Sequence, residues 1–293
     1  MITVAQNENN AAGVAPKAWL RRLRNNGNLL LGAAVLILFL IVMVLAHLLG
    51  AADPQAMTTS ERLHPPSLQH WFGTDRLGRD IYARVAFGTS ASLAVGAAAA
   101  ALGCIIGTIF GLAAGYFRSI DMLIMRVMDG IMAIPGIMIA IATISVAGAS
   151  ITTVVLAIAV HDVPRIARLV RSSVLSMREE PYVEAAVMLG SPSWSIVLRH
   201  MLPGILASLA VLGTYVAANA MLLEATLSFL GCGLPPDIPT WGNIMADGRI
   251  LFRIAPWIIL FPGAVLAFAV LAINLLGDGL RDQFDPTTEK TMR

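Results

Sequence analysis

The sequence predicts an all-α membrane protein with six transmembrane helices and both termini in the cytoplasm. The first observation is composition: 57% of the 293 residues are hydrophobic, only 13% are charged, and the mean hydropathy is +0.76. Soluble domains average about 45–50% apolar and about 25% charged residues, so a soluble globule of this composition would lack the polar surface that keeps it dispersed. The other two observations are uncharged stretches of spanning length and an uneven placement of basic residues.

The uncharged stretches divide the chain into five segments, because a spanning helix needs about 20 apolar residues. The first apolar stretch is too long for the roughly 7–15-residue apolar region of a signal peptide, so it is interpreted as an uncleaved span. The segments are a cytoplasmic N-terminal segment (1–28), a first transmembrane helix (29–50), a periplasmic loop (51–88), a core with five transmembrane helices (89–280) and a cytoplasmic tail (281–293).

The second span carries Gly103, Gly107 and Gly111 at every fourth position. Small residues at this spacing let helix backbones approach closely. We therefore expect this helix to pack against another along one face, the alternative being a flexible Ala-rich span.

The remaining spans lie in three longer stretches. Residues 122–170 are long enough for two spans, with a tight turn near Gly148–Ser150, and residues 200–223 and 254–277 supply the fifth and sixth. With both termini inside, 14 of the 20 Lys and Arg residues face the cytoplasm and 6 face the periplasm. Cytoplasmic loops carry the excess of Lys and Arg, so the count favours this orientation.

The segment between the fourth and fifth spans, residues 172–203, is too long for a simple turn, and we refer to it as the knob. Pro181 is typical of a first helical turn and Gly190 of a helix end. Ser191–Pro192 repeats the start signal for a second short helix, which is expected to end at Leu202–Pro203. A compact knob of two short helices suits insertion into a groove of a cytoplasmic protein, the alternative being a self-packed hairpin.

Several classes of function are disfavoured by the sequence. A phosphate-binding loop needs a Gly-rich turn followed by Lys, and the only lysines, Lys17 and Lys290, follow no such turn. Neither metal-ligand spacing nor a catalytic nucleophile motif is present, and a net charge of +2 does not indicate a nucleic-acid partner. The chain is therefore interpreted as non-catalytic, without a cofactor or metal of its own, and nucleotide chemistry must come from another polypeptide.

Ionisable residues at membrane depth are costly and face protein, water or each other. Arg126 and Asp129 lie three residues apart and are expected to pair on one helix face. Glu224 falls near the external end of the fifth span, where it could meet a cationic group of a transported solute or pair with an external arginine. Asp129 and Glu224 are the candidate residues of a translocation path.

Several motifs, in this order, resemble one family. Residues 73–80, GTDRLGRD, resemble the GTDxxGRD signature of the peptide and nickel branch of binding-protein-dependent ABC importer permeases. The knob resembles the EAA loop of these permeases, although position 200 holds His where the family usually has Ile. Residues 224–231 and 274–282 are similar to the C-type permease of that branch. The matching positions are Gly73, Thr74, Asp75, Gly78, Arg79 and Asp80 in the signature, and Glu184, Ala185, Ala186, Gly190, Leu202 and Pro203 in the knob.

The resemblance implies a type I ABC importer permease fold in the bacterial inner membrane. It implies that the knob fits a cleft of an ATPase subunit, that two such subunits supply ATP and Mg, and that a homologous permease completes a heterodimer surrounded by lipid. A periplasmic solute-binding protein would deliver substrate to Asp75, Arg79 and residues 231–239.

The resemblance implies di- or oligopeptides as the substrate, with nickel, glutathione, murein peptides or opine-like solutes as alternatives of the same architecture. An ion-gradient secondary transporter is an alternative of another class, and it would predict inverted repeats with broken helices. A membrane scaffold or receptor is a further alternative, which would not transport.

Overall fold

The computed structural model describes residues 27–48 and 53–284. This part of the chain is helical, with one isolated bridge between Thr74 and Asp80, which confirms the all-α prediction. Residues 285–293 of the predicted cytoplasmic tail (281–293) and residues 1–26 of the predicted N-terminal segment lie outside the described residues, while residues 281–284 belong to the last helix. The helices are α1 (Gly27–Leu48), α2 (Ile81–Tyr116), α3 (Arg118–Met132), α4 (Gly136–Ala147), α5 (Ile151–Met177), α6 (Pro181–Met188), α7 (Ser193–Ile196), α8 (Leu202–Phe229), α9 (Trp241–Gly248) and α10 (Trp257–Phe284).

Three helices of the described part are long and apolar enough to cross a membrane: α2, the continuous helix Ser193–Phe229, and Trp257–Gln283 of α10. Helices α3 and α4 make a fourth candidate when taken together, although they bend by 86° at the break before α4. Helix α1 contains a shorter apolar stretch, Gly27–Val42, and α5 is long but charged in its second half. The chain is a helical membrane protein with several spans, and the count of six stays a prediction.

The turn between α4 and α5 lies where the sequence predicts it. Helix α4 ends at Ala147 and α5 begins at Ile151. The hydroxyl of Ser150 caps α5 by accepting a hydrogen bond from the Thr153 amide at 3.1 Å, and such a cap satisfies one of the free N–H groups at a helix start.

Helices α2 and α5 pack closely along a line of glycines, as the four-residue spacing predicts. A Cβ atom added at Gly107 would lie 2.6 Å from Cβ of Ile166, and one added at Gly111 would lie 2.7 Å from the Ala167 carbonyl oxygen. Gly115 continues the line, since its added Cβ would lie 2.6 Å from Cβ of Val174. Only glycine permits this spacing, and we call the contact the glycine seam.

The second short helix of the knob does not end at Leu202–Pro203, contrary to the sequence prediction. Helix α7 continues through a π-helical turn, Val197–Met201, directly into α8. Within this turn the Leu202 amide donates to the Val197 carbonyl, five residues back. Proline lacks an N–H and clashes with the carbonyl four residues earlier, and the wider turn accommodates Pro203 without a break. His200 lies in this turn, and the second knob helix and α8 form one continuous helix, Ser193–Phe229.

Helix α9 lies inside the bundle rather than on its surface. The Trp241 side chain is buried, and its indole N–H donates to the Val85 carbonyl at 3.2 Å. The Asn243 amide group donates to the carbonyls of Leu234, Pro235 and Ile238 at 3.0–3.2 Å. These bonds fix the loop between α8 and α9 over the end of the bundle opposite the knob.

Candidate functional site

The two helices of the knob share a small apolar core. Val183 and Ala186 of α6 are buried against Ile196 and Met201, which follow on the second helix. Glu184 and Ala185 face away from this core and are exposed. The EAA triplet is therefore divided: Ala186 holds the two helices together, while Glu184 and Ala185 form part of the outer surface.

Gly190 makes the reversal between the two helices. Its φ of +74° lies in the left-handed region, which favours glycine. Its amide donates to the Val187 carbonyl at 3.0 Å, and the Ser191 amide donates to the Ala186 carbonyl at 3.1 Å. The predicted helix stop at Gly190 is confirmed.

The outer edge of α6 combines apolar side chains with one carboxylate. Val187, Met188 and Leu189 are exposed around Glu184. This edge lines an open cavity of about 480 Å³ together with other side chains of the knob and the end of α2. The lining residues are Tyr116, Arg178, Val183, Glu184, Val187 and Met188.

Arg178 ties the base of the knob to the end of α2. Its Nη1 donates to the carbonyl oxygens of Gly115 and Tyr116, each at 3.2 Å, and the guanidinium lies 5.8 Å from the Tyr116 ring centroid. A cation is favoured at a helix C-terminus because the last carbonyls carry partial negative charge. The position of the knob therefore depends on the position of α2.

At the opposite end, the GTDxxGRD segment forms a tight loop before α2. Gly73 and Gly78 have φ values of +74° and +76°. A Cβ at Gly73 would lie 2.7 Å from the His64 carbonyl oxygen, and one at Gly78 would collide with the Thr58 carbonyl. Thr74 is bound by Trp257 of α10, whose indole donates to the Thr74 carbonyl at 3.2 Å. The two glycines are thus required by both backbone angle and space.

The charged residues of this loop form a buried network that we call the external ion cluster. Arg79 Nε donates to Asp75 Oδ2 at 2.6 Å, and Arg84 Nη1 donates to the same oxygen at 2.9 Å. Both arginines also donate to Asp247 Oδ2 at 2.8 Å. The exposed Arg76 completes the cluster, with its Nη2 3.5 Å from Asp247 Oδ1. The cluster joins the loop, the start of α2 and α9.

Asp247 is the member that sequence reasoning missed. It belongs to no motif that the sequence analysis used, and it lies 168 positions after Arg79. Its local context at the end of α9 gives no sign of its partner. A count of the external arginines against the external acids was the one available signal, because buried charges need partners of opposite sign.

The cluster corrects the expectation that Asp75 and Arg79 meet a soluble partner. The Asp75 side chain is 0% exposed, and that of Arg79 is 10% exposed. Their charges are already satisfied within the chain. A solute-binding protein would have to contact other residues of the external loops.

His70 forms a second polar group in the same loop. Its Nδ1 lies 2.7 Å from Asp80 Oδ2, and its Nε2 lies 3.1 Å from Glu61 Oε2. Asp80 also caps α2, since its Oδ1 accepts a hydrogen bond from the Ala83 amide at 2.8 Å. The hydrogen bond to Asp80, with Glu61 adding to it, raises the pKa of His70 above its ordinary value of 6.5, although burial opposes this.

The predicted pair between Arg126 and Asp129 is wrong. Asp129 Oδ1 instead accepts a hydrogen bond from Arg168 Nη2 of α5 at 2.6 Å. In the same contact between α3 and α5, Arg171 donates from Nε to Asp121 Oδ1 at 2.5 Å and from Nη2 to Asp121 Oδ2 at 2.6 Å. Helix α3 is therefore joined to α5 by two ion pairs, because its acidic face is turned towards that helix.

Glu224 is buried and does not pair with an arginine in the described part of the chain. Its side chain is 1% exposed. Its Oε1 accepts a hydrogen bond from the Ser228 hydroxyl at 2.8 Å, and the Thr240 hydroxyl is a second neighbour. The expected alternative of an arginine partner is thus wrong. Glu224 connects α8 to the loop that precedes α9.

Metal binding receives no support from the described residues, where no group of three or more His, Cys, Asp and Glu side chains could hold an ion.

Spanning helices, a protruding knob and a locked loop at the opposite end define a multi-span membrane protein. Comparison with known proteins makes the class specific. Residues 103–290 match the family described as binding-protein-dependent transport system inner membrane component. The chain belongs to this family, and it is a permease component of the inner membrane.

Relatives of similar length support this membership. A putative peptide transport system permease protein of Brucella abortus is 45% identical over 91% of this chain and 90% of its own. The dipeptide transport system permease protein DppC of Alkalihalophilus pseudofirmus is 41% identical over 91% of this chain and 88% of its own. The glutathione transport system permease protein GsiD of Pectobacterium atrosepticum is 40% identical over 92% of this chain and 89% of its own.

Replacing the central carboxylate of the external ion cluster tests its structural role. We expect Asp75→Asn to destabilise the chain by about 3–5 kcal/mol, because it removes one of the two carboxylates that the buried arginines share and leaves Asp247 alone to balance both charges. Asp237→Asn is the matched control, since Asp237 is exposed. Thermal unfolding of the purified chain in detergent measures both, and equal midpoints for the two variants would contradict the assignment.

The raised pKa of His70 predicts a pH-dependent stability. A raised pKa means that the folded state holds the proton more tightly than the unfolded state. The stabilisation is therefore complete below pH 6.5 and is lost as the pH rises through the raised pKa of the folded state. His70→Gln should reduce the dependence of the unfolding midpoint on pH in this window. His64→Gln should leave that dependence unchanged. A slope that survives His70→Gln would assign the titration to another group.

Proposed function

We propose that this chain is one of two permease subunits of an ATP-driven importer that translocates di- and oligopeptides delivered by a periplasmic binding protein. Membership in a family of binding-protein-dependent transport components supports the transport role. The names of the peptide and dipeptide permeases that match about nine-tenths of the chain support the substrate class. ATP and Mg would bind in partner ATPase subunits.

The proposed topology has six spans with both termini in the cytoplasm. The spans are α1, α2, the bent pair α3–α4, α5, α8 with α7, and α10. The charges of α5 support its inclusion, because Arg168 and Arg171 pair with Asp129 and Asp121 of α3. Paired charges that face protein are tolerated at membrane depth. This topology places the knob in the cytoplasm and the external ion cluster in the periplasm.

The exposed edge of the knob is the observation that carries the proposal. Glu184 stands among exposed Val187, Met188 and Leu189 beside an open cavity. A self-packed hairpin would turn these apolar side chains inward. A carboxylate within an apolar patch fits a cleft of an ATPase that offers apolar walls and one basic side chain, since burying an apolar centre with a charged rim is typical of protein interfaces.

The continuous helix from α7 through α8 can carry a movement of the knob into the membrane. ATP binding would close the two ATPases and draw the two knobs of the heterodimer together. Because no break separates α7, the second knob helix, from α8, a tilt of α7 would become a tilt of α8. Rigid-body movements of this kind are a common basis for switching between two states.

Glu224 and Asp129 remain the proposed residues of the translocation path. Glu224 is buried beneath the loop before α9, so movement of that loop away from α8 would uncover a carboxylate for a cationic group of the solute. Asp129 is more exposed and is held by Arg168. A solute that displaced this arginine would meet the carboxylate at the edge of α3.

Glutathione is a second candidate substrate, favoured by the match to a glutathione permease. It has the size and charged groups of a small peptide, so the same path would serve both. Binding of dipeptides, oligopeptides, glutathione and nickel to the cognate solute-binding protein decides between them. Tight binding of nickel alone would contradict the peptide assignment.

Charge reversal at the knob tests the coupling role. We expect Glu184→Lys to abolish ATP-dependent uptake in the assembled transporter, while the ATPase subunits keep their ATP affinity. Gly190→Pro should act in the same way, because proline cannot adopt a φ of +74°. Asp53→Lys, an exposed charge reversal outside the family motifs, should leave uptake within about twofold of the parent, the ±0.5 kcal/mol range of surface changes.

Two results would contradict the proposal. Undiminished uptake in Glu184→Lys and Gly190→Pro would remove the knob from energy coupling. Uptake that persists without the ATPase subunits and collapses with an ion gradient would assign the chain to the secondary transporters.

A further inference from the structure

Residues 249–254, which join α9 to α10, form a short segment of unusual surface chemistry. Ile250 is 88% exposed, Phe252 51% and Ile254 68%. Arg249 and Arg253 belong to the same segment and are also exposed. Burying apolar side chains of this size is favourable, so three that are exposed in one short segment mark a contact surface.

The exposure is a property of a fixed turn. The Leu251 amide donates to the Gly248 carbonyl at 2.9 Å, and the Ile254 and Ala255 amides donate to the Leu251 carbonyl at 2.9 and 2.7 Å. Leu251 packs inward on the apolar cluster around α9 and α10. The backbone therefore holds its remaining apolar side chains outward.

The charge of the segment is positive and uncompensated. Arg249 donates to the Phe229 carbonyl at 3.3 Å, an uncharged partner. Within the described part of the chain neither Arg249 nor Arg253 forms an ion pair, and Asp247 is already shared by the arginines of the external ion cluster. Two cations remain for an anionic partner.

In the proposed topology the segment lies at the external end of α10, where that span would meet the surface of the bilayer. Helix α10 begins at Trp257, three residues after Ile254. One turn further, Phe261 stacks on Phe72 with ring centroids 4.2 Å apart, and the neighbouring Trp71 is exposed. Exposed aromatic residues at the end of a span are typical of the headgroup region.

We propose that residues 249–254 are an interfacial anchor that binds anionic phospholipid. Ile250, Phe252 and Ile254 enter the boundary between headgroups and acyl chains, and Arg249 and Arg253 bind lipid phosphates. A segment that exposes both apolar and cationic side chains fits a lipid surface. The anchor fixes the depth of the first turn of α10 in the bilayer. Through Asp247 of the preceding helix, it also fixes the depth of the external ion cluster. The inference requires the membrane location only, and holds whatever the solute.

A depth-sensitive probe in the assembled transporter tests the anchor. Ile250→Cys is placed in a Cys104→Ser, Cys232→Ser background, labelled with an environment-sensitive fluorophore and reconstituted in vesicles of phosphatidylcholine with phosphatidylglycerol. Asp237→Cys, an exposed position of the loop before α9, is the matched control. We expect spin-labelled lipids to quench the probe at position 250 and not at position 237.

The arginines are tested by comparing quenching by spin-labelled phosphatidylglycerol and phosphatidylcholine. Each arginine near an anionic surface contributes an attraction that corresponds to about a fivefold preference at low salt. Arg249→Gln and Arg253→Gln should each lower the phosphatidylglycerol preference about fivefold, with the unfolding midpoint unchanged.

Three results would overturn the proposal. Absence of lipid quenching at position 250 would show that another subunit covers the segment. Shielding that appears only when the solute-binding protein is added would make the segment a protein-docking surface. A phosphatidylglycerol preference that survives both arginine substitutions would remove the headgroup contact.

Discussion

The close approach of α2 and α5 is the constraint on which the rest of the structure depends. Helix α2 has 36 residues, or about 54 Å at 1.5 Å per residue, and it contacts both functional ends of the chain. At its start, Asp80 caps the helix and Arg84 joins the external ion cluster. At its end, the Tyr116 carbonyl receives Arg178 of the knob. The glycine seam sets the position of α5, and hence of the knob that follows it.

The charged residues fall into two groups, those paired within the chain and those exposed for a partner. A chain with few charged residues in a bilayer must satisfy those that it has. Asp75 does so with Arg79 and Arg84, which lie close to it in sequence, whereas Asp247 and Asp129 do so with arginines from distant parts of the chain. Three exposed charged residues, Glu184, Arg249 and Arg253, make no ion pair within the described residues and lie at the ends of the bundle. Glu184 faces the proposed ATPase, and Arg249 and Arg253 face the proposed lipid. Charges that are paired within the chain stabilise the fold, and the exposed charges of these three residues indicate binding partners.

Features set by local spacing could be predicted from the sequence, and features set by distant contacts could not. Pro181, Gly190 and the turn at Gly148–Ser150 depend on backbone preferences of a few residues, so their positions were predicted correctly. Asp247 was missed because its partners lie 163 and 168 positions earlier. Asp129 was given the wrong arginine because spacing shows which residues share a helix face but not which helix that face meets. The continuous helix past Pro203 was missed because a π-helical turn has no simple sequence signature.

Thermal unfolding of Gly111→Val beside Gly130→Val tests the role of the glycine seam most directly. The added atoms at position 111 must displace Val170 and the Ala167 carbonyl, whereas Gly130 has open space around it and belongs to α3. Overpacking a tight contact costs about 1–3 kcal/mol, so the account predicts that Gly111→Val lowers the unfolding midpoint by several degrees while Gly130→Val leaves it nearly unchanged. Equal midpoints for the two variants would contradict the claim that this contact organises the molecule.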